Sequence, residues 1–141
     1  MGLRMNPYLV MNGNAREAVD FYKQALGATV EGVMTFGEGP SDPNHPMPEE
    51  AKNRIMHAHL QVGETALMLS DTFPGQPHQS GNQVNVTIVT DDAGQAKQIF
   101  EALAEGGQVR MPFQQTFWSP GYGALADKFG VEWQVSTESK Q

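Results

Sequence analysis

The side chains of this sequence best suited to chemistry are His57 and His59, which a single alanine separates. Alternate residues of a β-strand face the same side, so both imidazoles would point in one direction. Imidazole changes charge near neutral pH and binds metals, so the spacing suits a metal pair or an acid/base pair. We take His57 as the candidate catalytic residue and both histidines as candidate ligand-binding residues. Exposed or hydrogen-bonded structural histidines would show the same spacing.

Two aromatic side chains, Trp118 and Tyr122, flank the dipeptide Pro120-Gly121. Trp and Tyr offer a flat apolar surface with a polar tip, so they could wall a pocket for a planar ligand, with the Tyr122 hydroxyl orienting it. A packed sheet edge or a dimer contact is the alternative, because interfaces also favour aromatic residues. We count both as candidate ligand-binding residues.

Strand-like segments near 54–62, 83–90 and 131–137 alternate between an apolar and a polar face. The apolar faces should pack beneath helices; they comprise Met56, Ala58, Leu60 and Val62, then Val84, Val86 and Ile88, then Val131, Trp133 and Val135. The polar faces carry the two histidines, Asn85 and Gln134. If the sheet curls, these residues line one concave pocket, and if it stays flat they meet water. Asn85 and Gln134 are therefore also candidate ligand-binding residues.

The elements that position these residues occur twice. Asn14 with Glu17 and Asp92 with Gln95 resemble capping boxes, and each is followed by apolar residues at helical spacing over 15–26 and 93–104. We predict strands near 6–12, 29–36, 54–62, 65–70, 83–90, 108–115, 119–126 and 131–137. The order βαβββ, repeated, predicts one α+β domain over 1–141, with module one at about 5–71, a linker at about 72–82 and module two at about 83–138.

One segment breaks this pattern. Residues 37–53 contain four prolines, so we predict that they form no regular element. The segment is long for a loop, and it could be a mobile surface insertion, a lid or an arm that contacts a partner.

Composition restricts the possible partners. The 141 residues carry a formal net charge of −7 without a Lys/Arg cluster, so nucleic acid and anionic membranes are not expected partners. The absence of cysteine excludes disulfides, thiolate metal sites and cysteine nucleophiles. No apolar run approaches the ~20 residues of a membrane span, and the first residues lack the apolar core of a signal peptide. We therefore expect a cytoplasmic protein.

Four motifs carry a family resemblance: Pro7-Tyr8-Leu9, Asn12-Gly13-Asn14-Ala15, Met56-His57-Ala58 and the segment Gln115-Thr-Phe-Trp-Ser-Pro-Gly-Tyr-Gly123. With them the chain resembles the PhnB-like (YjdN-like) branch of the vicinal oxygen chelate superfamily, which includes glyoxalases, bleomycin resistance proteins and extradiol dioxygenases. The resemblance implies two βαβββ modules that form a curved, cup-shaped mixed sheet with helices on its outer face. It also implies a homodimer.

The same resemblance places four metal-ligand positions, at Pro7, at Leu67 or Met68, at Asn85 and at Gln134. The first two offer no oxygen or nitrogen ligand from a side chain, and the last two are neutral amides. We therefore expect a pocket that binds a small organic ligand without a tightly bound metal. Binding of a divalent metal ion is the alternative that this mapping leaves open. One alternative is a metal-dependent glyoxalase- or dioxygenase-like enzyme using His57 and His59 with Glu132. Another is a scaffold or partner-binding dimer that uses the arm at 37–53.

Overall fold

A computed structural model describes residues 2–40 and 43–138, and the chain divides after His78 into two compact units. The first unit contains β1 (Tyr8–Met11), α1 (Ala15–Leu26), β2 (Thr29–Thr35), α2 (Glu49–Lys52), β3 (Ile55–Val62) and β4 (Thr65–Asp71). Its four-stranded sheet has the order β1-β4-β3-β2. β1 runs parallel to β4, and the other neighbours are antiparallel.

The second unit repeats this topology. It contains β5 (Val86–Thr90), α3 (Ala93–Ala104), β6 (Gln108–Gln114), β7 (Tyr122–Ala126) and β8 (Glu132–Thr137). Its sheet has the order β5-β8-β7-β6, with β5 parallel to β8. The predicted α+β class and the two βαβββ modules are confirmed, and both long helices have the predicted bounds.

Each long helix covers one face of the sheet in its own unit. α1 packs on β3 and β4 and buries four residues, Ala15, Ala18, Val19 and Tyr22. Ala58, Leu60 and Leu69 of the sheet are fully buried there. In the second unit, α3 buries Ala96, Phe100 and Leu103, and the sheet contributes Leu125, Trp133 and Val135. Burial of such side chains supplies roughly 1.5–3 kcal/mol each.

The strand predicted from 83 begins only at Val86, and Val84 is 79% exposed instead of packing beneath a helix. Pairing of β5 with β8 begins at Val86 opposite Trp133, one residue after β8 itself begins. In this register Val84 would lie beside Val131, before β8 begins, and Asn85 beside Glu132, the first residue of β8. The assignment of Val84 and Asn85 to a strand was wrong, since pairing with β8 does not extend to them.

The start of α1 is held by a carboxylate from far along the chain. Asp71 Oδ1 accepts hydrogen bonds from the N–H groups of Gly13 at 2.8 Å and Ala15 at 2.9 Å. Asp71 Oδ2 accepts a third from the N–H of Ile55, at the start of β3, at 2.9 Å. The predicted capping by the Asn14 side chain was wrong, since that side chain makes no cap bond. A buried carboxylate satisfies these donors more strongly than a neutral amide does.

Capping in the second unit follows the sequence more closely. The Asp92 side chain accepts from the N–H of Gln95 at 3.1 Å, as predicted for the start of α3. A second buried carboxylate, Asp127, organises the turn before β8 by accepting from the N–H groups of Phe129 and Val131. Its Oδ2 also accepts from the indole N–H of Trp133 at 2.8 Å. Trp133 thus lies in the core and Asp127 stabilises the turn.

The proline-containing segment is more regular than predicted. Residues Phe36–Glu38 form a 3₁₀ turn and Glu49–Lys52 form the short helix α2, so the prediction of no regular element in 37–53 was wrong. The four prolines all precede α2, and Pro48 occupies its N-cap position. None of them therefore lies inside the helix and interrupts its hydrogen bonds. In the part of the chain that the structure describes, no helix is long and apolar enough to cross a membrane.

Replacing Asp71 with alanine should lower the free energy of unfolding by about 3 kcal/mol or more, because three N–H donors lose a charged acceptor. Urea denaturation checks this. The matched control is Asp20→Ala, an exposed residue of α1, which should change stability by less than about 0.5 kcal/mol. Equal effects of the two substitutions would contradict the role of Asp71.

The Glu38 carboxylate caps the 3₁₀ turn by accepting from the Thr35 N–H at 3.1 Å and from the Thr35 hydroxyl at 2.9 Å. These two bonds, followed by the nearby Arg16 charge, lower the pKa of Glu38 below its ordinary value. A lowered pKa stabilises the folded chain above the unfolded-state pKa, and the contribution is lost as pH falls through the folded-state pKa. Thr35→Val removes the hydroxyl bond, so an NMR titration should show the pKa of Glu38 rising. Thr29→Val is the control and should leave it unchanged.

Candidate functional site

The two histidines of β3 point away from α1. Ala58 and Leu60, which alternate with them, are fully buried, whereas His57 is exposed and His59 is half-buried. Strand register places residues of β1, β2 and β4 on the same side, six of them in the two rows that contain the histidines. We call this set the histidine face: Tyr8, Val10, Gly32, Met34, His57, His59, Met68 and Ser70. The alternation predicted for β3 holds over residues 57–60, whereas Ile55, which the same alternation places on the histidine side, is fully buried.

Within the histidine face, one row crosses all four strands. Tyr8 lies opposite Met68, Met68 opposite His59, and His59 opposite Gly32. A neighbouring row joins Val10 to Ser70 and His57 to Met34. Cross-strand neighbours on one face lie within contact distance, so these side chains together form one surface.

His59 carries an unusual polar atom. Its Nε2 is buried and has no hydrogen-bond partner among the described residues. Leaving such an atom unpaired costs about 1–3 kcal/mol, and buried polar groups in proteins are nearly always paired. The ring therefore has unused hydrogen-bonding capacity on this face.

Tyr8 is a part of this surface that sequence reasoning missed. Its ring lies 5.9 Å from the ring of His57, centroid to centroid, with the planes tilted by 34°. The two residues are far apart in sequence, and they meet because β1 and β3 both flank β4. The only sequence signal was the presence of Tyr8 in the first family motif.

The second unit has its own open face. Gln134 of β8 is half-buried and lies opposite Thr87 and Ala124, and Tyr122 lies opposite Ser136. The Trp118 and Tyr122 rings meet edge to face with centroids 5.5 Å apart, and Phe117 meets Trp118 at 4.8 Å. Phe117 is 97% exposed. Trp118 and Tyr122 are therefore in contact with each other and Phe117 with Trp118, while their use as a wall for a ligand stays a prediction.

A buried serine fixes the turn that carries Trp118. Ser119 Oγ lies 2.6 Å from the carbonyl oxygen of Thr137 and 2.8 Å from that of Gly121, so its single proton is donated to one or the other, and it accepts from the N–H groups of both residues at 3.2 Å. The N–H of Thr116 donates to the Ser119 carbonyl at 2.9 Å and closes the turn. The aromatic residues of this turn are therefore tied to the end of β8.

Asn85 does not join Gln134 on a strand. It precedes β5, is exposed, and its amide donates to the carbonyl oxygen of Asn82 at 3.4 Å. The histidines belong to the first unit, whereas Asn85, Trp118, Tyr122 and Gln134 belong to the second. Ligand binding by each of these residues stays a prediction.

Two cavities have linings that include no residue of the histidine face. One, of about 650 Å³, is lined mainly by the prolines of 40–48 with Phe36 and Phe73. The other, of about 620 Å³, lies in the second unit beside Arg110 and Glu132. Each cavity has a basic side chain that forms an ion pair. Lys52 at the first lies 2.8 Å from Glu49, and Arg110 at the second lies 3.1 Å from Glu132. The second pairing raises the pKa of Arg110.

The residues at the mapped metal positions do not fit a divalent ion. Leu67 is buried opposite Leu60, so Met68 is the residue of β4 that shares a face with the histidines. A proline, a thioether and two neutral amides give no hard anionic ligand. Among residues 2–40 and 43–138, no three His, Asp or Glu side chains form a group able to hold a metal. Glu132, named with the histidines as an alternative ligand, is instead bonded to Arg110.

Two four-stranded mixed sheets, each with a helix on one side, define the α+β glyoxalase/bleomycin resistance fold. The chain belongs to the Glyoxalase/Bleomycin resistance protein/Dioxygenase superfamily, whose profile matches residues 4–135.

Individual relatives agree with this assignment. The chain is 34% identical to protein YjdN of Escherichia coli (strain K12), with 97% of each chain covered. It is 42% identical to protein PA1353 from Pseudomonas aeruginosa, whose crystal structure covers 99% of this chain and 100% of its own, with a TM-score of 0.87. A PhnB protein from Bacillus cereus shares the fold at 23% identity and a TM-score of 0.74, over 96% and 99% of the two chains. The resemblance to the PhnB-like (YjdN-like) branch is confirmed.

Ser119→Ala should lower the free energy of unfolding by about 1–3 kcal/mol, because the Thr137 carbonyl and the Gly121 N–H lose their hydroxyl partner. It should also speed amide hydrogen exchange in residues 116–121. Ser136→Ala, on the open face of β8, is the control and should affect neither quantity appreciably. Unchanged exchange in the Ser119 variant would show that the turn is held by other contacts.

Proposed function

We propose that this protein binds a small organic molecule on the histidine face, without a tightly held metal. The observation that carries the proposal is the buried, unpaired Nε2 of His59. An unpaired atom of this kind is stabilised when a ligand supplies the missing hydrogen bond.

The surroundings of His59 assign roles to its neighbours. The rings of His57 and Tyr8, tilted by 34° to each other, offer neighbouring aromatic surfaces against which a planar group packs. Met34 and Met68 lie beside the histidines in the register and supply flexible apolar contacts. Because Nε2 is buried, the polar group of the ligand reaches it by displacing a neighbouring side chain, and unbranched Met68 is suited to such movement.

The second unit contributes candidate residues of the same kind. Gln134 offers an amide, and Trp118 and Tyr122 offer an aromatic wall that Ser119 keeps in place. We propose these residues and Asn85 as ligand contacts of the second unit taken by itself, and His57 as the candidate catalytic group of the first unit.

The setting in which the protein acts is also part of the proposal. A net charge of −7 and the absence of cysteine support a cytoplasmic protein without nucleic-acid or anionic-membrane partners. The exposed Phe117 and Trp118 support a homodimer contact, since aromatic residues are favoured at interfaces.

His59→Phe tests the proposal, because it keeps a flat ring of similar size and removes the hydrogen-bonding nitrogens. Fragments that bind the unmodified protein are first identified by ligand-observed NMR, and their affinities are measured by calorimetry. We expect a fragment whose affinity falls about tenfold in His59→Phe, the loss of one hydrogen bond of ~1.4 kcal/mol. Thermal stability should be kept or raised, because the unpaired nitrogen is gone.

The matched control is His45→Phe in the exposed proline segment, which should leave the affinity unchanged. If every fragment binds His59→Phe as tightly as it binds the unmodified protein, the histidine face is not the site. Stoichiometric metal that survives chelation and dialysis, measured by mass spectrometry, would contradict the metal-free part of the proposal.

A further inference from the structure

Neither a positive φ nor close packing requires the glycine at position 32 on the histidine face, and a register irregularity of β2 lies just before it, between Val30 and Gly32. Gly32 lies within β2 opposite His59, and its φ lies outside the positive range that favours this residue. A Cβ built on Gly32 would meet no described atom within 4 Å. Glycine inside a strand weakens it and often marks a bulge, or a place where a ligand or another backbone approaches closely.

Gly123, the other glycine in the described strands, is required by packing. A Cβ on Gly123 of β7 would lie 2.6 Å from Phe100 Cε2 and 3.1 Å from Phe113 Cα. Neighbouring atoms therefore exclude any larger residue at Gly123. Because Gly32 lacks such neighbours, its missing side chain leaves open space above β2, on the strand next to His59.

Charge defines what this space can accept. The two rows of the histidine face contain no Asp, Glu, Lys or Arg. Glu31 lies at the register irregularity between Val30 and Gly32, is exposed, and would disfavour an anion nearby. A charged ligand group on this face would lose hydration without gaining a counter-ion from either row.

We propose that Gly32 keeps a gap open for the ligand next to His59, and that this ligand is an uncharged molecule with an apolar body and one hydrogen-bonding group. This inference rests on the proposed binding function and identifies Gly32 as a residue that determines specificity. The apolar body lies over Gly32 between the methionines, and the polar group pairs with His59 Nε2.

Gly32→Val tests the gap, because a β-branched residue suits a strand while its side chain fills the space. We expect its melting temperature to be unchanged or higher, and its affinity for a fragment that depends on His59 to fall at least tenfold. Gly32→Ala should show an intermediate loss. Gly81→Ala is the control, because its Cβ also meets open space but lies outside the histidine face.

The ligand class is tested with benzamide, benzoate and benzamidine, which share a shape and differ in charge. Followed by ¹H–¹⁵N NMR at millimolar concentration, benzamide should shift the amide signals of Gly32, His59 and Met68. Benzoate and benzamidine should bind at least tenfold more weakly. Equal binding of all three, or no binding of benzamide, would overturn the assignment of an uncharged ligand.

The two variants together separate this inference from the binding function. A fragment that loses affinity in His59→Phe but binds Gly32→Val normally would overturn the role of Gly32 and leave the binding function standing. A fragment that binds both variants normally would overturn both.

Discussion

The carboxylate of Asp71 is the interaction on which the first unit depends. One oxygen accepts from Gly13 and Ala15 at the start of α1, and the other accepts from Ile55 at the start of β3. Asp71 is itself the last residue of β4, so one buried side chain joins a helix and two strands. Because β3 is fixed at its first residue, its alternation is fixed too, and this places His57 and His59 on the side away from α1.

The two modules use the same sheet but stabilise it differently. In the second unit, Asp127 organises the turn into β8 and binds the Trp133 indole, whereas the local carboxylate Asp92 caps α3. Their open faces diverge as well. The first presents histidines, methionines and Tyr8, and the second presents Gln134 with an aromatic group tied down by Ser119. Duplication therefore supplied one scaffold on which two different surfaces could develop.

Sequence patterns predicted those features of the fold that are determined by residues close together in the chain. Both long helices were bounded correctly, because apolar periodicity starts after a capping residue and ends at glycines such as Gly27, which adopts the left-handed conformation. The start of β5 was missed because it depends on pairing with β8, a strand distant in sequence. The cap of α1 was missed because Asp71 is distant in sequence from the helix that it serves.

The candidate site shows the same limit. Alternation within β3 was enough to place His57 and His59 on one face, since that pattern lies within one strand. Tyr8 and Gly32 could not be added to it from sequence, because their positions beside the histidines follow from the pairing of β1 with β4 and of β2 with β3. Without the strand pairing, neither a tyrosine at position 8 nor a glycine at position 32 indicates a role in binding.

The central claim is that small molecules bind on the histidine face. The most direct test is a ¹³C-methyl NMR spectrum of methionine-labelled protein, recorded before and after adding the deproteinised small-molecule fraction of a cell extract. Met34 and Met68 report on this face, while buried Met11 and exposed Met5 serve as internal references. The account predicts shifts for Met34 and Met68 with the references unchanged; shifts confined to methionines outside the face, or no shift at all, would contradict it.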